Sequence, residues 1–257
     1  MALPRRPPRT SGPAQGQVRG QVRGRVRGRV LLGLMIALLA LPEAVLAPAD
    51  WGLWGSAAWR PLANQYGAFW PGLLRDWQPN YALQPGLMFV TYAFLHAGPG
   101  HLLGNVAALV PLGDGTLRWL GPGRTLGVCA AATLGGAAAF GLLSRDPSPM
   151  VGASGMVFGL AGALIAREAL EPGGRWRALA LAAGLALLNL AMWALMGRVA
   201  WEAHGGGALA GAAAAALLRR PRPPRRLSGG AQAAGTDGDP GADSGAAPGA
   251  APPARAK

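Results

Sequence analysis

Three short motifs contain the side chains of this chain that could carry out a reaction. In chain order they are His101-Leu-Leu-Gly-Asn105, Gly152-Ala-Ser154-Gly155 and His204-Gly-Gly-Gly207. A serine can attack a carbonyl carbon, a histidine can accept the serine proton, and N–H groups can stabilise the oxyanion that forms. These residue types predict acyl transfer through an activated serine, provided that the fold brings the motifs together.

The composition places these motifs in an integral membrane protein. Hydrophobic residues make up 51% of the 257 residues and charged residues only 14%, which is too few charges for an ordinary soluble domain. The net charge of +13 comes mostly from arginines at the two ends. Charge at the two ends argues against a nucleic-acid surface. It indicates instead which side of the membrane the ends lie on, because basic flanking segments stay in the cytoplasm. The single cysteine, Cys129, excludes an intrachain disulfide.

Six apolar segments between the basic ends predict membrane-spanning helices. They run from residue 30 to 47, 98 to 116, 125 to 143, 154 to 166, 178 to 196 and 201 to 218. The expected fold class is therefore an all-α bundle of six transmembrane helices over residues 30–218, with both termini in the cytoplasm. Residues 1–29, which are rich in arginine, and residues 219–257, which are rich in Pro, Gly and Ala, are expected to be disordered because neither can bury a core.

The first apolar segment allows two interpretations. A retained helix is the one we expect. Arginines followed by residues 31–41 and Val45-Leu-Ala47 also fit a cleaved signal peptide, and Pro42-Glu43 interrupts the apolar run. Cleavage would leave five spans.

The outer loop from Asp50 to His96 holds five of the nine tryptophans, and we expect it to lie partly in the membrane interface, which tryptophan side chains favour.

The three motifs are expected to lie at a similar depth in the membrane. Ser154, His204 and His101 stand 13, 15 and 17 residues before the basic residue that should mark the inner surface. At 1.5 Å per residue these lengths are about 20, 22 and 26 Å, against a hydrocarbon core of roughly 30 Å. All three residues should therefore lie several ångströms below the outer surface.

Ser154 and His204 each allow a structural interpretation beside the catalytic one. Serine is a good helix N-cap, but its own N–H at a helix start is also an unpaired donor that could bind an oxyanion. A histidine in a membrane helix is a functional candidate by default, although it could simply join two helices. Glycines at spacing four, Gly155 with Gly159 and Gly207 with Gly211, allow the close approach that a Ser154–His204 hydrogen bond requires.

His101 and Asn105 lie one helical turn apart and share a face. Their N–H groups could hold an oxyanion together, or they could join helices. His96 is assigned no chemistry. Glu202 points away from His204, because residues two apart do not face each other on a helix. A Ser154–His204 dyad without a third member is therefore the economical prediction.

The three motifs in this order resemble the rhomboid family of intramembrane serine proteases. The resemblance is carried by Phe94-Leu-His-Ala-Gly-Pro-Gly-His101-Leu-Leu-Gly-Asn105, Gly152-Ala-Ser-Gly-Met-Val-Phe158-Gly and Ala203-His204-Gly-Gly-Gly207 with Gly211. It implies a six-helix core in which Ser154 is the nucleophile and His204 the general base. It also implies that His101, Asn105 and the Ser154 N–H bind the oxyanion, with Phe158 packed on the histidine.

Two positions depart from the family's pattern. Leu87-Met88 stands where the family often has a Trp-Arg pair, and Leu117 replaces a glutamate common near the inner end of the second span. Both family residues are usually counted as structural supports. The departures therefore bear on the setting of the outer loop and on stability more than on the chemistry.

The expected function is cleavage of single-span membrane proteins within the bilayer. No metal, organic cofactor or nucleic-acid partner is indicated, and the expected location is a bacterial inner membrane. A catalytically silent rhomboid-like protein that binds transmembrane helices is the alternative, although such a protein would be expected to lose Ser154 or His204. A transporter with a histidine proton relay is a more distant alternative, because no carboxylate accompanies the histidines in the spans.

Overall fold

The structure is built from helices. The computed structural model describes residues 13–197 and 199–219. Six of the helices in this part are long: α1 (Pro13–Asp50), α4 (Pro99–Leu120), α5 (Pro122–Leu143), α6 (Ser154–Ala169), α7 (Arg175–Met196) and α8 (Trp201–Leu218). Two shorter helices, α2 (Trp59–Gly67) and α3 (Gln84–Thr91), lie in the outer loop with two 3-10 turns, Pro71–Leu74 and Tyr92–Phe94. The all-α class is confirmed, since the described residues contain no β-strand.

Proline and glycine set several helix boundaries. Pro99 and Pro122 lie in the first turns of α4 and α5. Backbone N–H groups in a first turn have no acceptor within the helix, so proline, which lacks this group, costs no hydrogen bond there. Gly121 separates the two helices with φ of 79°, a conformation that costs glycine little. A single residue therefore connects α4 to α5.

The helix ends agree with the apolar segments to within a few residues, with one large difference. α5, α6, α7 and α8 end within three residues of the predicted limits, and α8 matches them at both ends. α1 begins at Pro13 and includes residues 13–29, which we had expected to be disordered. Helical structure continues into this part because arginine and glutamine are good helix formers, despite the interspersed glycines. Residues 1–12 and the predicted tail beyond Arg219 lie outside the described residues.

By length and composition, three helices of the described part are apolar enough to cross a membrane. They comprise Gly24–Asp50, Pro122–Leu143 and Arg175–Leu195. α6 has 16 residues and is about 24 Å long, shorter than the hydrocarbon core of about 30 Å. These long apolar helices make the chain an integral membrane protein.

α6 lies at the centre of the helix packing. It contacts α4, α5, α7 and α8, while α1 packs mainly on α4. Leu109 of α4, Val128 of α5 and Leu160 of α6 are fully buried in one core cluster, to which α1 contributes Leu39. α7 differs from its neighbours because most of its side chains are exposed.

A second cluster fixes the outer loop above the helices. Phe69 and Met88 are fully buried in it with Tyr92. Phe69 also exchanges two backbone hydrogen bonds with Met150, at 3.0 and 2.9 Å. The outer loop is therefore tied to the segment that leads into α6 and Ser154.

Candidate active site

Ser154 and His204 are hydrogen-bonded in the structure. Ser154 is the first residue of α6, and His204 lies in the first turn of α8. The Nε2 atom of His204 is 2.8 Å from the Ser154 Oγ, and the histidine is only 3% exposed. This distance allows direct proton transfer from the hydroxyl to the imidazole.

Glycines make this contact possible by letting α6 and α8 approach closely. A Cβ atom on Gly207 would overlap the carbonyl group of Gly155, and one on Gly211 would overlap the carbonyl group of Gly159. Gly207 and Gly211 of α8 thus face Gly155 and Gly159 of α6 backbone to backbone. The small-residue faces of the two helices are in direct contact.

Phe158 stacks on the imidazole of His204. The ring centroids are 4.1 Å apart and the planes differ by 7°. Phe158 follows Ser154 by four residues on α6 and therefore lies one turn below it on the same face. The stacked ring restricts rotation of the imidazole about its side-chain bonds.

Asn189 of α7 was not among the predicted site residues. Its Oδ1 lies 2.7 Å from Nδ1 of His204, so the imidazole has a polar partner on each nitrogen. The sequence does carry a signal for this residue. Asn189 is a lone amide in the apolar run of α7, and a polar side chain in a membrane helix is costly unless it has a partner.

His101 and Asn105 point toward the loop just before Ser154. A Cβ atom on Gly152 would lie 2.9 Å from Nε2 of His101 and 3.6 Å from Nδ2 of Asn105. The backbone N–H of Ala97 donates to Nδ1 of His101 at 3.4 Å, which leaves the proton of a neutral imidazole on Nε2. The two side chains therefore offer N–H donors on the Ser154 side of α4.

Asn105 is an unsatisfied donor. It is 6% exposed, and its Nδ2 has no hydrogen-bond partner in the structure. Buried amide groups are normally paired, so an orphaned N–H₂ beside a candidate nucleophile suits a group that arrives with the substrate. The backbone N–H of Ser154, in the first turn of α6, also has no acceptor within its own helix.

His96 lies outside the helices and is fully buried. Its ring is 5.3 Å from that of His101, edge to face, and neither of its nitrogens has a hydrogen-bond partner. Burial, reinforced by the nearby His101, lowers the pKa of His96 to about 4. The residue is therefore neutral at pH 7 and packs beside the site as an uncharged ring.

The described part of the chain offers no group of three His, Cys, Asp or Glu side chains that could hold a metal ion. Cys129 is a free thiol buried in the core. The chemistry available at the site is that of the serine, the imidazole and the surrounding N–H donors.

The fold and site define an all-helical membrane protein with a paired serine and histidine between closely packed helices. The family model of the Rhomboid domain matches residues 85–221, which is more than half of the chain and includes α4 to α8. The chain belongs to the rhomboid family. No curated protein matches it.

Proposed function

We propose that this protein is an intramembrane serine endopeptidase that cleaves transmembrane segments of membrane proteins. The observation that supports this most strongly is the 2.8 Å contact between the Ser154 hydroxyl and His204. A histidine among apolar membrane helices is a functional candidate by default, and this one lies within hydrogen-bonding distance of a hydroxyl that it can deprotonate. The alternative is a rhomboid-like protein that binds transmembrane helices without cutting them.

The first half of the reaction forms an acyl-enzyme. The Ser154 Oγ attacks the scissile carbonyl carbon while its proton moves to Nε2 of His204. Nε2 of His101, Nδ2 of Asn105 and the Ser154 N–H donate hydrogen bonds to the resulting oxyanion. His204 then returns the proton to the leaving amine, and the peptide C–N bond breaks.

The second half releases the new carboxyl end. His204 Nε2 takes a proton from a water molecule, whose oxygen attacks the acyl carbon of the Ser154 ester. The same N–H donors stabilise the second oxyanion. Collapse of this intermediate breaks the ester bond and returns the proton to Ser154.

The substrates would be single-span membrane proteins. A regular transmembrane helix hides its carbonyl carbons behind the helical hydrogen bonds. The substrate must therefore unwind near the outer face, where small or helix-destabilising residues make unwinding easier. Specificity would depend on this local instability as well as on side-chain pockets.

We also propose six transmembrane helices over residues 30–218, flanked by cytoplasmic tails at 1–29 and 219–257, in a bacterial inner membrane. Support comes from the six long helices and from the basic residues at both ends. The test is labelling of single cysteines placed near each terminus in a Cys129→Ser background. Both should react with an impermeant maleimide in inside-out vesicles and be protected in right-side-out vesicles; opposite protection of the two would rule out an even number of spans.

The activity is tested by cleavage of a single-span substrate in proteoliposomes. The wild type and Ser56→Ala, a change at an exposed serine far along the chain from the site, should cut, while Ser154→Ala and His204→Ala should not. A fluorophosphonate probe should label the wild type and not Ser154→Ala. Absence of both cleavage and labelling in the folded wild type, across several substrates, would favour the helix-binding alternative.

A further inference from the structure

Asn189 occupies an unusual position on α7. The residues on either side of it along the helix are leucines that face outward, with Leu187, Leu188 and Leu190 exposed to 65%, 53% and 56%. Asn189 itself is half-buried and turns inward, and its Oδ1 contacts His204 at 2.7 Å. Asn189 is thus an amide that contacts the His204 imidazole from a helix whose neighbouring side chains are exposed and apolar.

The two contacts of the imidazole assign its proton. A neutral histidine has one N–H donor and one bare nitrogen. Asn189 Oδ1 is an acceptor, so the nitrogen facing it, Nδ1, carries the hydrogen. Nε2 is then the bare nitrogen, which is the form that accepts the Ser154 proton. The opposite tautomer would place an N–H against the hydroxyl and an unshared pair against the amide oxygen, and it could not act as the base.

An open pocket lies beside this contact. It has a volume of about 310 Å³ and is lined by Ala186, Asn189 and Leu190 with Trp193 and Trp201. The side chains around Asn189 therefore do not fill the space between α7 and α8. The Asn189–His204 hydrogen bond is therefore the polar contact that joins this part of α7 to α8.

We propose that Asn189 is a positioning residue for the reaction. Its side-chain oxygen accepts the Nδ1–H of His204 and so holds the imidazole in the tautomer and orientation that Ser154 requires. This inference rests on the proposed function. As Ser154 loses its proton the imidazole becomes positively charged, and a hydrogen bond from a charged donor is stronger than one from a neutral donor. Asn189 therefore assists proton transfer more than it assists substrate binding.

The test compares kcat and KM for Asn189→Leu, Asn189→Asp and Asn189→Gln in proteoliposomes. Leucine removes the acceptor and matches the neighbouring residues of α7, so the variant is expected to fold. Its kcat should fall by about 10- to 100-fold, a part of the 10²–10⁴-fold effect of a general base, with KM changed less than threefold. Asp or Gln supplies an oxygen again, and at least one of them should restore kcat to within about threefold of the wild type.

Leu188→Ala, at the preceding exposed position of α7, is the matched control and should leave both constants unchanged. An unaltered kcat in Asn189→Leu would overturn the inference. So would failure of both Asp and Gln to restore kcat, when their unfolding midpoints match the wild type. A change in KM or in unfolding midpoint without a change in kcat would assign Asn189 a structural role. If the wild type cleaves no substrate, both the proposed function and this inference are wrong. If the wild type and Asn189→Leu are equally active, only the inference is wrong.

Discussion

Arg60 of α2 binds Glu43 of α1 through two hydrogen bonds, of 2.7 and 3.0 Å, and its Nη1 also donates to the backbone carbonyl of His96 at 2.6 Å. Glu43 is only 3% exposed. The hydrogen bonds to Glu43 raise the pKa of Arg60 further above its usual value. One guanidinium thus joins the first helix, the outer loop and the residue that packs on His101.

Removing Glu43 should destabilise the protein. Glu43→Ala leaves the partly buried guanidinium of Arg60 with Asp50 as its remaining carboxylate partner, and loss of the hydrogen bonds to Glu43 should cost about 1–3 kcal/mol. The measurement is the free energy of unfolding in mixed micelles. Asp114→Ala is the control, since it breaks the exposed pair with Arg118 on α4 and should cost at most about 1 kcal/mol.

A small effect of Glu43→Ala would mean that the apolar contacts of α1 and the Arg60–Asp50 pair are enough to hold α1. A large effect would support retention of α1 in the mature protein, because cleavage near Ala47 would remove the same carboxylate.

Gly207→Ala should disrupt the packing of α8 on α6. The added methyl group would overlap the carbonyl of Gly155, and forcing extra atoms into a packed interface costs about 1–3 kcal/mol or more. We expect a lower unfolding midpoint and loss of cleavage together. The neighbouring Gly205 has open space at the same atom, so Gly205→Ala should fold and cleave normally. Equal behaviour of the two variants would contradict the close contact.

Gly152→Ala should impair the reaction and lower stability by about 1–3 kcal/mol, because alanine is strained in this backbone conformation. Gly152 has φ of 117°, and its new Cβ would lie 2.5 Å from Cε1 of His101. The imidazole must move, and loss of one oxyanion donor lowers kcat by about 10²–10³-fold. Gly104→Ala adds a methyl group in open space on α4 and should keep its activity. The measurement is the cleavage kinetics of both variants. A wild-type kcat in Gly152→Ala would contradict a role of His101 as an oxyanion donor.

His96 should make the protein less stable below neutral pH. The unfolded state binds a proton near pH 6.5, whereas the folded state resists it down to the lowered pKa of about 4. The contribution of His96 is therefore complete above pH 6.5 and is lost as the pH falls toward 4, by about 2 kcal/mol between pH 7 and pH 5. His96→Leu should show a weaker dependence of unfolding free energy on pH. Parallel curves for wild type and variant would show that His96 contributes nothing to it.

The sequence by itself determined the helices and the residue types of the candidate site. Apolar runs bounded by Gly, Pro and Arg are local signals, and they placed α8 at Trp201–Leu218 without error. The motif around Ser154 and the motif around His204 likewise needed no structure to be recognised. Residues 13–29 were misjudged because composition suggested disorder, although their helix propensity was adequate.

The contacts at the site depended on the tertiary structure. Asn189 and His204 are 15 residues apart, and Arg60 and Glu43 are 17 apart. Whether such pairs meet depends on the rotation of each helix about its axis and on how the glycine faces pack, which no local pattern records. The sequence therefore determined which helices exist and which groups could react, whereas the packing of helices decided which of those groups lie within hydrogen-bonding distance.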